Sequence, residues 1–168
     1  DSSGNSASAT QTITVVDTTA PVITTPQNIV VDAVHTETFL EIGLASVNDI
    51  IDDIPTITND APTVFPLGET IVTWTATDSS GNSASATQTI TVVDTTAPVI
   101  TTPQNIVVDA VHTETFLEIG LASVNDIIDD IPTITNDAPT VFPLGETIVT
   151  WTATDSSGNS ASATQTIT

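Results

Sequence analysis

Acidic residues gather in three short parts of the sequence: at Asp17, between Asn48 and Asp53, and at the turn from Asp78 to Asn82. Carboxylates that lie close together repel one another unless they are protonated or bridged by a cation. Ca²⁺ takes about six to eight hard oxygen ligands in irregular geometry, whereas Mg²⁺ demands a near-ideal octahedron. The pattern therefore predicts Ca²⁺ sites. The predicted ligands are Asp17, Asp49, Asp52, Asp53, Asp78 and Asn82, with the copies Asp94, Asp126, Asp129, Asp130, Asp155 and Asn159.

A second interpretation of the same acids stays open. Aspartate and asparagine favour turns on their own account, so these residues could be solvated loop acids on a strongly charged surface. Calcium is favoured because small domains often need a disulfide or a bound metal for stability, and a chain without cysteine has no disulfide.

The charge balance excludes several classes of partner. The chain has 21 Asp and Glu, no Lys or Arg and two His, which gives a formal charge of −21. A nucleic-acid-binding protein needs a basic surface to displace counterions from phosphates. A protein that binds anionic membranes also needs a basic surface. The sequence therefore predicts neither partner.

Catalytic patterns are poorly represented. His35 and its copy His112 lie in predicted turns, and no motif connects either one to a nucleophile. The turn Asp78–Asn82 does not match a phosphate-binding loop, and paired carboxylates for glycoside hydrolysis would need a cleft. We therefore expect no enzymatic activity.

The sequence is an exact tandem repeat. The segment Asp1–Asn5 returns at 78–82 and again at 155–159, a period of 77 residues. We predict that residues 1–16 are the final strand of a preceding, incomplete repeat, that 17–93 form repeat 1 and that 94–168 form repeat 2. Pro21 fixes its own φ angle and extends Ala20, so the connection that begins at Asp17 should be short and stiff.

Alternating apolar residues predict an all-β fold. Val72, Trp74 and Ala76 share one face of a strand, and a return strand follows the turn at Asp78. About seven short strands per repeat indicate immunoglobulin-like β-sandwich domains in a linear array, with Trp74 and Phe65 as core anchors. The predicted strands of repeat 1 are 21–25, 28–33, 38–46 (where a short helix would also fit), 55–59, 69–77 and the return strand with Ala84, Ala86, Ile90 and Val92 inward, while 47–53 is predicted to be a loop.

This architecture would bring the acidic segments together. In an immunoglobulin-like sandwich, the loop after the second strand and the loop of the final hairpin lie at the same end of the domain, and that end faces the linker from the preceding repeat. Asn48 and the predicted ligands at 49–53 should therefore approach Asp78 and Asn82. Glu69 would lie near the opposite end.

Three segments carry a family resemblance: Val15–Ile23, Phe65–Gly68 and Thr73–Asn82. They resemble the hyalin-repeat (HYR) family, whose members are immunoglobulin-like modules of extracellular surface proteins. Animal members usually carry Cys where this chain has Thr24 and Trp74, which favours a bacterial or archaeal surface protein. The resemblance implies an adhesive or architectural role.

Two functions follow as hypotheses. The first is a structural extracellular filament or stalk, stiffened by Ca²⁺ at the joints, whose partners are neighbouring repeats and identical chains. The alternative is an adhesin module that binds glycan or protein ligands by multivalency. An exposed Trp74 would favour the adhesin, because it could serve as a platform for a sugar ring.

Overall fold

The structure is a computed structural model that describes residues 2–112 and 115–168, so Asp1 of the predicted 1–16 segment lies outside the described residues. In these ranges the chain forms strands and no helix, and nothing in them could cross a bilayer as a helix. The strands are β1 (Val22–Thr24), β2 (Ile29–Asp32), β3 (Ser46–Asn48), β4 (Thr56–Asn59), β5 (Gly68–Thr77), β6 (Ser83–Val93), β7 (Val99–Thr101), β8 (Ser123–Asn125), β9 (Thr133–Asn136), β10 (Thr147–Thr154) and β11 (Ser160–Ile167). The predicted all-β, tandem sandwich architecture is confirmed.

The chain divides into two compact units. The first unit comprises residues 1–27, 42–61 and 71–88, and the second comprises residues 28–41, 62–70 and 89–168. The repeat boundaries at 16/17 and 93/94 stay a prediction.

In the first unit, antiparallel pairs set the register. Strand β1 pairs with β3 through Ile23 and Val47, and β4 pairs with β5 through Ile57 and Ala76. Period-2 alternation sends Val72, Trp74 and Ala76 into the core, where they are at most 3% exposed.

The second unit contains the sheet β11-β10-β9 and the pair β7-β8. Strand β2 also lies here and runs parallel to the end of β6, with Ile29 opposite Ile90. The core of the second repeat consists of Phe142, Val149, Trp151 and Ile167. Phe65 and Phe142 are 2% and 5% exposed, so the anchors expected from the sequence are confirmed.

Most predicted strands of repeat 1 are confirmed, but the apolar run 38–46 is not a strand. Thr38 makes only an isolated bridge with Phe65, and regular pairing begins at Ser46. Gly43 has φ of +85°, a left-handed conformation that interrupts an extended strand. Its backbone lies so close to Pro26 that a Cβ atom would be 3.2 Å from the proline ring. The predicted loop 47–53 consequently starts two residues too early, because Val47 and Asn48 belong to β3.

Residues 5–16 show how much a strand depends on its neighbour. Their sequence is identical to that of residues 82–93, most of which form β6, yet residues 5–16 form no strand. Strand β6 lies between β5 and β2, and this pairing supplies the backbone partners that a strand requires. The assignment of residues 1–16 to a preceding repeat stays a prediction.

A buried glutamine completes the core of each repeat. The Gln88 side chain is fully buried and accepts a hydrogen bond from the Trp74 indole Nε1 at 3.1 Å. Its Nε2 donates to the carbonyl oxygens of Gln27 and Ile42 at 2.8 and 3.0 Å. One amide therefore partners the buried indole N–H, the carbonyl of the buried residue Ile42 and the carbonyl of Gln27. Gln165 makes the same bonds with Trp151 and the carbonyls of Gln104 and Ile119.

We predict that Gln88→Leu lowers the free energy of unfolding by about 3 kcal/mol, because it leaves the buried indole N–H and the Ile42 carbonyl without partners. Urea unfolding followed by tryptophan fluorescence measures the change. Gln11→Leu is the matched control, since Gln11 occupies the same place in the exposed copy of this sequence and should change stability by less than about 0.5 kcal/mol. Equal effects of the two substitutions would contradict the assignment.

Candidate metal centre

The loop that follows β3 is folded around its own aspartates. The Asp49 Oδ1 atom accepts hydrogen bonds from the backbone N–H groups of Ile51 and Asp52, both at 2.8 Å. Asp52 in turn accepts from the N–H of Ile54 through Oδ1, and from the N–H of Ser79 through Oδ2 at 2.7 Å. The second bond ties this loop to the turn of the β5–β6 hairpin.

The hairpin turn is fixed by Asp78 and Asn82. The Asp78 N–H donates to the Asn82 carbonyl at 3.0 Å, and the Asn82 N–H donates to Asp78 Oδ1 at 2.8 Å. Gly81 has φ of +91°, a left-handed conformation that favours glycine in a tight reversal. The Asn82 side-chain amide donates to Asp78 Oδ2 at 2.8 Å and to the Asp17 carbonyl at 3.3 Å, so it connects the hairpin to the incoming linker.

These contacts bring together three carboxylates from three different segments. Asp17, Asp49 and Asp78 each present a carboxylate oxygen, and the three oxygens lie within 4.8 Å of one another. Asp94, Asp126 and Asp155 form the same arrangement in the second repeat. We call each set of three an aspartate triad. Asp78 is 6% exposed, Asp155 7% and Asp94 9%, so half of the six triad residues are buried acids.

Two carboxylate oxygens of each triad have no hydrogen-bond partner. They are the Oδ2 atoms of Asp17 and Asp49 in the first triad, and those of Asp94 and Asp126 in the second. All four atoms are shielded from solvent. A buried acceptor without a partner is costly and a buried charge is costlier still. Hard, unpaired oxygen atoms are the ligands that Ca²⁺ prefers, so the residues present fit a calcium ion.

The two triads have closely similar surroundings. Asp126 Oδ1 accepts from Ile128 N–H at 2.8 Å, Asp129 Oδ2 accepts from Ser156 N–H at 2.8 Å, and Asn159 Nδ2 donates to the Asp94 carbonyl at 3.1 Å. The arrangement is therefore built from one repeat and its own linker residue.

The other predicted ligands occupy different places. Asp52 and Asp129 lie outside the triads, with both oxygens accepting backbone N–H bonds. Asn82 and Asn159 lie beside the triads and act there as donors. Asp53, Asp130 and Asn48 are exposed. Metal binding by any of these residues stays a prediction.

Hydrogen bonding lowers the pKa of three of these acids. For Asp52 the principal causes are the backbone bonds from Ile54 and Ser79, and for Asp129 those from Ile131 and Ser156. Burial is the largest single influence on Asp78 and raises its pKa, but the combined bonds from Asn82, Ser80 and Gly81 lower the pKa below its usual value. These carboxylates are therefore held in the ionised form.

We predict that Asp52→Asn/Asp129→Asn is less stable than the parent chain at pH 7, because an amide NH₂ group replaces the acceptor of the Ser79 or Ser156 N–H. A carboxylate with a lowered pKa stabilises the fold above its unfolded pKa, near 3.8, and this contribution disappears as the pH falls through the folded pKa. The difference in melting temperature between variant and parent should therefore shrink between pH 5 and pH 3. Asp53→Asn/Asp130→Asn is the control, and a gap that does not change with pH would contradict the assignment.

Both tryptophans lie in the core rather than on the surface. Trp74 and Trp151 are each 3% exposed, and their indole N–H groups are bonded to Gln88 and Gln165. Neither ring can serve as a platform for a sugar. The exposed Trp74 that would favour the adhesin is therefore not found.

Comparison with known proteins assigns the family. Residues 16–92 and 93–168 each match the HYR domain. The chain is 42% identical over 181 aligned residues to hyalin of Strongylocentrotus purpuratus and 40% identical over 182 to hyalin of Lytechinus variegatus, covering 99% of this chain in both cases. It is also 42% identical over 102 residues to the sushi, von Willebrand factor type A, EGF and pentraxin domain-containing protein 1 of Rattus norvegicus, covering 58% of this chain.

The chain spans 15% and 34% of the length of the two hyalins, and 3% of the rat protein. The family match nevertheless covers residues 16–92 and 93–168 and confirms the resemblance drawn from Val15–Ile23, Phe65–Gly68 and Thr73–Asn82. The chain belongs to the HYR domain family and is a tandem-repeat protein of the extracellular space or cell surface.

Proposed function

We propose that this chain is part of an extracellular filament or stalk whose repeats are stiffened by Ca²⁺ at the entry of each domain, and that it has no catalytic role. The observation that carries the proposal is the pair of buried, unpaired carboxylate oxygens in each aspartate triad. A cation that satisfied them would also offset part of the repulsion in a chain with a formal charge of −21.

The origin of the three ligands explains how binding would stiffen an array. Asp17 and Asp94 are linker residues, Asp49 and Asp126 belong to the loop after β3 or β8, and Asp78 and Asp155 begin the hairpin turn. An ion held by all three would fix the linker against the domain that follows it. The hydrogen bond from Asn82 to the Asp17 carbonyl already places the linker beside the hairpin, so little rearrangement is required.

The family supports an architectural role. HYR repeats form a non-enzymatic extracellular family, and the similarity to hyalin extends over 99% of this chain. Identical repeats suit a structure whose properties are length and stiffness. Its partners would be the neighbouring repeats of the same chain and identical chains in a filament. The adhesin alternative lacks a supporting contact, because the only tryptophan in each repeat is buried.

We predict that Ca²⁺ raises the melting temperature of the two-repeat chain. A ligand at about 100 times its dissociation constant stabilises the folded state by about 2.7 kcal/mol. For a domain of this size, that energy corresponds to roughly 10 °C or more. Differential scanning calorimetry in Ca²⁺ and in excess chelator measures the shift, and isothermal titration should find two sites per chain.

Matched variants separate binding from screening. Asp49→Asn/Asp126→Asn should abolish the response to Ca²⁺, whereas Asp53→Asn/Asp130→Asn, which neutralises exposed acids of the same loops, should retain it. NaCl at equal ionic strength controls for screening of the net charge. If Ca²⁺ neither binds nor changes the melting temperature beyond the NaCl control, the calcium mechanism is wrong and the triads are buried acids without a metal role.

A further inference from the structure

Identical residues of the two repeats differ in exposure at the domain ends. Leu67 is 45% exposed, but its copy Leu144 is 81% exposed. The difference runs the other way in the loop after β3 or β8. Ile50 and Ile51 of the first repeat are 80% and 67% exposed, whereas Ile127 is 48% exposed and Ile128 is half-buried. Because the sequences are the same, local propensity cannot explain the differences, and the surroundings must.

The surroundings are given by the composition of the second compact unit. It combines residues 28–41 and 62–70, which are segments of the first repeat, with residues 89–168. Leu67, Ile127 and Ile128 therefore all belong to this one unit. The three side chains that lose exposure relative to their copies therefore belong to one compact unit that includes segments of both repeats.

We propose that each repeat carries two complementary apolar end surfaces, and that the partner of each surface is another copy of the same repeat. The leading surface consists of Ile50 and Ile51, or Ile127 and Ile128. The trailing surface consists of Leu67, or Leu144. In this chain the trailing surface of the first repeat, Leu67, packs against the leading surface of the second.

The folding of the acidic loop accounts for the leading surface. Asp49 and Asp52 turn toward backbone N–H groups, and this arrangement leaves the neighbouring isoleucines directed outward. Ile54 is 85% exposed as well. Exposed apolar side chains close together in one loop of a soluble domain mark an interaction surface. Ile127 and Ile128 are less exposed than Ile50 and Ile51, whereas Ile131 is 85% exposed, like Ile54. The same loop would thus supply an ionic ligand and an apolar contact to one joint.

This inference rests on the repeat-array part of the proposed function and not on calcium. An apolar contact does not require a cation and is not weakened by salt, so it should hold adjacent repeats in register in chelator. Failure of calcium binding would leave it intact, and loss of the apolar contact would leave calcium affinity at each triad unchanged.

The chain offers its own controls for the test. Leu67→Ser and Ile128→Ser remove the two halves of the contact, and Leu144→Ser and Ile51→Ser make the same changes at the exposed copies. All four variants are compared with the parent in excess chelator, by calorimetry and by ¹⁵N relaxation, which reports whether the two repeats tumble together. We expect Leu67→Ser and Ile128→Ser to lower the melting temperature by about 4 °C and to uncouple the tumbling, and the controls to shift it by less than about 1 °C.

The double variant completes the test. If Leu67 and Ile128 act through one contact, Leu67→Ser/Ile128→Ser should cost no more than the larger of the two single changes. Additive effects would overturn the proposal, as would equal effects of Leu67→Ser and Leu144→Ser or coupled tumbling in the double variant.

Discussion

Every carboxylate of this chain has to be accommodated without a lysine or an arginine. The acidic loops answer this constraint with backbone N–H groups: Asp49, Asp52 and Asp78 each accept bonds from residues a few positions away. These bonds shape the loop and the hairpin turn, and the Asp52–Ser79 bond joins them. The backbone N–H groups available in these loops do not reach every carboxylate oxygen. What remains is a small set of shielded oxygens at the point where linker, loop and turn meet, which is where a cation has a structural reason to bind.

The middle of each domain is apolar, and there a few buried polar groups need partners. Val72, Trp74 and Ala76 are buried in an apolar interior, and the Gln88 side chain lies there and bonds to the Trp74 indole and to two loop carbonyls. The amide is neutral, so it adds no charge to the core. A residue that is polar and fully buried therefore connects the hairpin to the segments that precede β2 and follow Glu41. The core and the acidic end are thus organised by the same requirement, that every buried polar group should have a partner.

The hairpin and the meeting of the acidic segments could be predicted from the sequence, because strict alternation and the order of strands in a sandwich determine them. The run 38–46 could not, since its apolar residues suit a strand in composition but Gly43 packs against Pro26 in a left-handed conformation. Nor could the sequence show which oxygens stay unpaired, because that depends on donors from Ile51, Ser79 and Asn82 in three dimensions. Gln88 lies on the inward face of its strand, but a polar side chain is not expected in a core from its sequence position alone. Its place there depends on the Trp74 indole, a partner that only the folded structure defines.

Exact repetition means that strand β5 meets more than one chemically identical candidate for its neighbour. Residues 5–16 have the same sequence as residues 82–93 and are made earlier on a nascent chain. What distinguishes the two is chain connectivity: the Asp78–Asn82 turn closes a loop of a few residues, whereas pairing with 5–16 would close one of roughly 50, at an added entropic cost of about 2 kcal/mol. Short loops also close fastest. The tight turn that presents Asp78 to the triad therefore also favours pairing of β5 with residues 82–93 over the identical residues 5–16. For the same reason it disfavours exchange of strands between neighbouring domains.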